Sequence, residues 1–411
     1  MASPELLIPA GNLEKLRTAV LYGADAVYVG VEGLSLRAKQ AEFSLAELAQ
    51  GTEEAHRQGV KVYAALNIFA RDRDLVKVAR IANDLVDLGI DAVIISDPGV
   101  LETVKRVHPR LPVHLSTQAN TTNTAAVKFW KAQGVERLVL ARELNLAEIG
   151  EIAGAVPEME LELFIHGAMC MAYSGRCYLS AYRNRRSSNR GDCTQPCRWE
   201  YRLVESTRPN SPLIVEEDEH YSYLLSSKDL CMIEYLPQVL KAGVKSLKIE
   251  GRMKSVYYVA VVTRTYRWAL DSCLEGLDRY QCAPGWLEEL EKISYRGYTT
   301  GFYFEAEKIS EMNPEVKYVQ SHDLAATVLD YDPVAKRVLL GIRNRLTWDD
   351  RVEILLPDDT LTLDMKEMTD SKGFPVCEAH NGYQIYLPCD REIPQGAVLR
   401  REVIKNSVWI D

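Results

Sequence analysis

The stretch LLIPAGNLEKLRTAVLYGADAVYVG (6–30) decides the fold. Leu6–Pro9 is a short apolar run that reads as a strand. Asn12 is placed to cap a helix, Glu14 lies in its first turn, and Leu13, Leu16, Ala19 and Val20 recur at helical spacing. Gly23 stops that helix, because glycine takes the left-handed conformation of a helix end without steric cost. Ala26–Gly30 follows as a second strand, apolar throughout, as parallel strands covered on both faces are.

Working outward, the same unit repeats. Gly59 precedes KVYAALNI, Gly89 precedes DAVIISD, Gly134 precedes RLVLAR and Gly243 precedes SLKIEG. The second unit carries Phe43, Leu45, Leu48 and Ala49 before its glycine. Eight strand candidates result: Leu6–Pro9, Ala26–Gly30, Lys61–Ile68, Ala92–Asp97, Val113–Gln118, Arg137–Arg142, Leu161–Gly167 and Ser246–Gly251. Eight βα units over about 270 residues predict an α/β fold of (β/α)8 TIM-barrel type. A doubly wound open sheet is the rival, but no G-x-G-x-x-G follows the first strand. Two helical stretches, Val256–Leu270 and Trp286–Ile293, come after the last barrel strand. From about Ala325 the texture changes to short alternating runs, among them ATVLDYD, RVLLGIR and RVEILLP, separated by turns. They predict a small all-β barrel or sandwich. The expected domains are therefore 1–320 and 321–411.

One interval breaks the rhythm. Strands seven and eight are separated by about 80 residues, and the gap (about 168–245) holds a cysteine- and arginine-rich insert on the C-terminal face, where barrel active sites lie. Long loops in compact domains are usually functional. The cysteines run C-x6-C-x15-C-x3-C from Cys170 through Cys177 and Cys193 to Cys197, with Cys231 a further 33 residues on. Arg176, Arg183, Arg185, Arg186, Arg190 and Arg198 fill the spaces. Thiolates so arranged suit an iron–sulfur cluster or a zinc ion; reduced structural or catalytic thiols are the third reading. Cys273, Cys282, Cys377 and Cys389 are isolated and read as small apolar residues.

Composition narrows the class. The chain has 411 residues, 47% of them hydrophobic, and a formal net charge of −9, so any nucleic-acid contact has to be local. No apolar run approaches the ~18 residues a membrane span needs. MASPELLIPAGN lacks a basic-then-apolar leader, so the expectation is a cytoplasmic protein with reduced thiols.

ELFIHGAMCMAYSGRCYLS (162–180) resembles the signature of the collagenase-like peptidase family U-32, with its H-G-x-x-C and G-x-C-x-x-S elements. The opening 5–30, SSKDLC (226–231), SLKIEGRMKS (246–255) and RGYTTGFY (296–303) are similar to that family too. The resemblance implies either a peptidase or a prephenate-dependent, oxygen-independent hydroxylation protein. Relatives of the second kind act on the tRNA wobble uridine, on ribosomal RNA or on the ubiquinone ring, and the ubiquinone pair holds a 4Fe-4S cluster. Carried over by motif, Cys170, Cys177 and Cys193 match three ligands. Cys231 is the first choice for the fourth and Cys197 the alternative.

Other candidates follow from position. His166, at the end of strand seven, is a candidate acid/base or a donor to a cluster sulfur, with a structural histidine in a tight turn as the equal alternative. Asn67, Asp97, Gln118, Arg142, Glu143, Glu250 and Arg252 stand at strand ends, where a barrel lines its pocket, although a capping or loop role is open for each. Glu250 is proposed as catalytic, and Arg142 and Arg252 as holders of a carboxylate-bearing co-substrate. Arg183, Arg185, Arg186 and Arg190 are candidates for phosphate or dicarboxylate contacts; pairing with Glu216, Glu217 and Asp218 is the plainer reading. The expected function is an iron–sulfur enzyme that hydroxylates tRNA uridine to 5-hydroxyuridine with prephenate as oxygen source, assisted by an electron donor or a related family partner. A Cys170–His166 peptidase and a zinc-stabilised RNA-binding scaffold are the alternatives; H-E-x-x-H and G-x-S-x-G are both missing from the sequence.

Overall fold

The computed structural model describes residues 3–36, 41–170, 172–199, 228–304 and 319–403. Glu216, Glu217 and Asp218, and the first two residues of SSKDLC, lie outside them.

Strands β1 (Glu5–Ala10), β2 (Ala26–Gly30), β3 (Lys61–Leu66), β4 (Ala92–Ile95), β5 (Val113–Leu115), β6 (Arg137–Val139) and β7 (Glu160–Ala168) pair in parallel in chain order. The next parallel strand, β9 (Ser246–Ile249), pairs with both β7 and β1 and so closes the barrel. All eight barrel strands fall on the sequence expectations. Helices α1 (Leu13–Leu21), α2 (Leu45–Arg57), α3 (Asp72–Asp87), α4 (Pro98–Val107), α5 (Thr124–Ala132) and α6 (Leu146–Ala155) alternate with them. Asn12 does cap α1, accepting from Lys15 N at 2.9 Å. The five glycine stops all have φ between +73° and +97°, a region costly for any side chain.

The gap between β7 and β9 is more than a loop. It contains α7 (Leu179–Asn184), β8 (Asp229–Cys231) and α8 (Leu236–Lys241). β8 runs antiparallel to the tail of β7, pairing Cys231 with His166. After β9 come α9 (Val256–Glu275), α10 (Pro284–Glu291) and β10 (Tyr298–Thr299), which pairs with β8.

The rest is an antiparallel β-domain. β11 (His322–Asp332), β12 (Arg337–Ile342), β14 (Arg351–Leu355), β15 (Thr360–Asp364), β17 (Gln384–Pro388) and β18 (Val398–Glu402) form one sheet. β13 (Leu346–Thr347) and β16 (Glu378–Ala379) form a short second pair. Its core, with Val338, Leu340, Val352, Ile354 and Leu399, is separate from the barrel core. Fourteen of the twenty residues of α9 are buried, because this helix is covered by the barrel on one side and the β-domain on the other. Its Arg264 donates to the Leu356 and Asp359 carbonyls and to Glu289, which also pairs with Arg400 of β18.

Candidate functional site

Side chains alternate along a strand, so every second residue of a barrel strand points inward. Deep in the barrel Lys248 Nζ meets Glu162 at 2.6 Å, and both are almost fully buried. Burial alone would raise the Glu162 carboxyl, but Lys248 and Arg137 outweigh it and hold it below its usual range. Burial lowers the Lys248 ammonium against the pull of Glu162. The lysine also lies 4.5 Å from the Tyr28 ring centre and 5.6 Å from that of Phe164.

Above this floor opens a cavity at the C-terminal ends of the strands, about 1150 Å³ with its mouth included. Tyr28, Phe164 and Lys248 form its base. Asn67, Gln118, Arg142, Glu250 and Arg252 wall it, and Cys170, Cys177, Cys193 and Cys197 of the insert complete it. Five of the rim candidates thus share one pocket. Arg142 lays its guanidinium over the Phe164 ring at 3.8 Å, and its Nε is buried with no hydrogen-bond partner. Gln118 Oε1 is buried in the same condition. Arg252 is buried, and Gly30 makes room for it: a methyl there would stand 2.5 Å from Arg252 Nη1.

The two other rim candidates take the structural roles left open for them. Asp97 caps α4, accepting from Gly99 N and Val100 N. Glu143 holds the insert, accepting from Ser174 N at 2.6 Å and Ser174 Oγ at 2.8 Å. Those bonds stabilise Ser174 at φ +44°, a conformation a serine rarely adopts.

Further anchors tie the insert down. Arg176 Nε donates to the Gln118 carbonyl, Phe69 N donates to the Asn189 carbonyl, and Arg190 donates to the Phe69 carbonyl and to Asp74. Within the insert, two sulfurs receive backbone hydrogen bonds: Cys177 Sγ from Leu179 N at 3.3 Å and Cys193 Sγ from Gln195 N at 3.4 Å. Burial raises the Cys197 thiol, with Arg198 opposing and Cys170, Cys193 and Cys177 reinforcing. The four sulfurs are therefore electrostatic neighbours. Among the described residues, no three His, Cys, Asp or Glu side chains are grouped tightly enough to hold a single metal ion.

Two candidates stand apart from the cavity. Cys231, the first choice for a fourth ligand, is not part of this group. It is buried behind β7, its sulfur 3.6 Å from Tyr266 Oη, and burial pushes its thiol up to about 12. Cys197, the alternative, lines the cavity. His166 is not at the cavity either. The β7–β9 register slips between Phe164 and His166, and such a slip turns the following side chain to the other face. The ring packs outside the barrel among Tyr258, Tyr266 and Tyr298, and burial drives its pKa down to about 3.

The arginines divide as well. Arg190 serves the insert's attachment, and Arg186 pairs with Asp192 on the surface. Arg185 is exposed at the left-handed end of α7. Sequence reading missed Lys248; its place between Leu247 and Ile249 in a strand buried on both faces was the available signal, since alternation sends it inward.

Residues 11–313 match the family model for Peptidase family U32, and residues 320–400 that for the Peptidase family U32 C-terminal domain. The chain is 38% identical to tRNA hydroxylation protein P of Escherichia coli, covering 96% of this chain and 95% of that one. It is 39% identical to tRNA hydroxylation protein P1 of Bacillus subtilis, over 97% and 94% of the two chains. It is also 40% identical to a 23S rRNA 5-hydroxycytidine synthase of Escherichia coli, over 72% of this chain and 45% of that one. Barrel, insert and β-domain together make this chain a member of peptidase family U32.

Proposed function

We propose that this protein is an RNA-hydroxylating enzyme whose substrate is a tRNA uridine, converted to 5-hydroxyuridine. The observation that carries the reading is the single cavity in which four insert cysteines face the buried cations Lys248 and Arg252, with Arg142 beside them. Near-full-length similarity to tRNA hydroxylation proteins supports the substrate class.

Cys170, Cys177, Cys193 and Cys197 would hold a 4Fe-4S cluster. Sulfurs distributed around a cavity suit a cluster with one thiolate per iron; a lone zinc, with Zn–S distances of about 2.3 Å, would gather all four at one point. The backbone N–H groups on Cys177 and Cys193 would stabilise thiolate charge there. Such a cluster supplies electron-transfer or Lewis-acid chemistry when bound.

Arg142 and Arg252, above the Lys248–Glu162 pair, form a cationic subsite fitted to a small carboxylate such as prephenate. Arg142 and Arg252 are able to grip carboxylates through forked hydrogen bonds. Phe164 and Tyr28 line the base of this subsite, where Arg142 and Lys248 already stack on their rings. Glu250 stands on the same wall as the acid/base candidate. An electron donor or a related family partner would complete the redox balance.

Anaerobic purification with iron and sulfide analysis tests the ligand set. About four irons per chain are expected in the native protein and in Cys231→Ser, with loss in Cys197→Ser. Retention in Cys197→Ser would refute the assignment. Nucleoside mass spectrometry of tRNA from cells that rely on each variant then reads 5-hydroxyuridine. The Cys170–His166 peptidase draws no support from the site, because Cys170 lines the cavity whereas the His166 ring packs among Tyr258, Tyr266 and Tyr298.

A further inference from the structure

Helix α7 and its N-cap residue carry the two most exposed aromatic side chains among the described residues, Tyr178 (the cap) at 82% and Tyr182 at 83%. They stand one helical turn apart, with Tyr182 N donating to the Tyr178 carbonyl at 2.8 Å, so their rings leave the same face. Their neighbours Cys177, Leu179 and Ser180 line the cavity. One short turn of chain thus walls the reaction chamber with one face and presents two tyrosines to solvent with the other. Folding gains nothing from rings left so exposed, whereas burying an aromatic ring is ordinarily favourable by kilocalories.

The surroundings are basic in an otherwise acidic protein. Residues 168–199 contain six arginines and a single acid, Asp192, against a net charge of −9 for the whole chain. Arg176, Arg183, Arg185 and Arg186 are exposed beside the tyrosines. Aromatic faces interleaved with arginines are the surface that single-stranded nucleic acid selects, its bases stacking on the rings while its phosphates meet the cations.

We infer that Tyr178 and Tyr182 are a stacking platform for unpaired bases next to the nucleotide that enters the cavity, with Arg183 and Arg185 on the phosphates. The inference rests on the RNA reading above and sharpens it: the substrate is recognised as an unpaired loop. A duplex keeps its bases stacked on each other and offers nothing to two protruding rings.

The test is fluorescence anisotropy of a labelled uridine-rich single-stranded RNA, and of its duplex, with anaerobically purified protein at fixed salt. Tyr178→Ala/Tyr182→Ala should weaken single-strand binding about ten- to a hundredfold. Tyr178→Phe/Tyr182→Phe should bind as the native protein does, and the visible spectrum and melting temperature of both variants should be unchanged. Arg183→Ala/Arg185→Ala should flatten the salt dependence by roughly 0.7 for each phosphate no longer held. Unchanged affinity in the alanine variant overturns the platform. So does equal affinity for the duplex, or a platform variant that dissociates a dimer while binding RNA normally. If the native protein hydroxylates tRNA while the alanine variant binds RNA undiminished, the platform alone falls. If the native protein neither binds nor hydroxylates RNA, the functional reading falls with it.

Discussion

His166 and Lys248 were both within reach of a strand-alternation argument, and they came out oppositely. Lys248 follows the pleat into the barrel, where Glu162 neutralises it. His166 would have followed it too, but the slip after Phe164 carries the ring outside. A register irregularity leaves no mark in a single sequence, which is why an acid/base role and a structural one stood level there. Its consequence is measurable. The ring stays neutral in the folded protein down to about pH 3, whereas an unfolded histidine takes a proton near 6.5. Between those values only the unfolded chain binds the proton, so stability falls as pH is lowered, by up to ~1.4 kcal/mol per pH unit. His114, also driven to about 3 by burial, acts in the same sense. His166→Phe keeps the ring and removes the titration. Melting curves from pH 6.5 to 4 should show a shallower acid slope in that variant, and an unaltered slope would acquit the residue. At the rim, Gly30→Ala should lower stability by about 1–3 kcal/mol, read as a drop in melting temperature, because the added methyl meets Arg252 Nη1 at 2.5 Å and the Ala41 carbonyl oxygen at 2.7 Å.

At the scale of elements, periodic segments were legible and the insert was not. Strand ends could be placed because apolar runs and glycine stops mark them, and five rim residues duly meet in one cavity. The insert has neither period nor stops. Its arginines looked alike in sequence, yet Arg190 turns inward onto α3 and Arg185 outward to solvent. The choice between Cys197 and Cys231 was likewise closed to spacing, since β8 takes Cys231 behind β7, where no sequence count would put it. The Arg190–Asp74 pair is half-buried and bridges the insert to the barrel. Asp74→Ala should therefore loosen the insert by about 1–3 kcal/mol without unfolding the barrel. Limited proteolysis should then cut within 170–199 sooner; protection equal to that of the native protein would assign the anchoring to Glu143 and Arg176 alone.

For the molecule as a whole, the two domains are joined by buried charge. Arg264 and Arg400 are each 1% exposed, and Glu289 bonds to both. Arg400 also reaches Glu353, and Tyr22 Oη bridges the Leu355 carbonyl and Val398 N. Glu289→Ala leaves two buried guanidiniums short of a counter-charge, at a cost of about 3–5 kcal/mol. Calorimetry should show one native transition dividing into two. Burial would raise the Glu289 carboxyl, but Arg400 and Lys292 bring it down to about 2. That stability is present above the unfolded value near 4.5 and is lost as pH falls through about 2, so the domains should uncouple in acid before the β-domain itself unfolds. The alternating runs after Ala325 made the β-domain visible in the sequence; its clamp to the barrel was not, because arginines inside α9 and β18 read as surface residues.

The closure of the barrel by β9 has a temporal side. β1 and β7 wait for a strand that begins at Ser246, 78 positions after β7 ends at Ala168. At translation speeds of roughly 5–20 residues per second the ribosome needs about 4–16 s to cross that interval. Until β9 is made, β1 and the part of β7 that β8 does not cover lack the partner that closes the sheet, and unpaired strand edges invite wrong pairing. All four cavity cysteines emerge during the same wait, before the wall beside them exists. The chain thus meets its hazard of aggregation and its freest exposure of the cavity thiols in one interval, and a factor that shields the edges would also lengthen the time for which those thiols stand open.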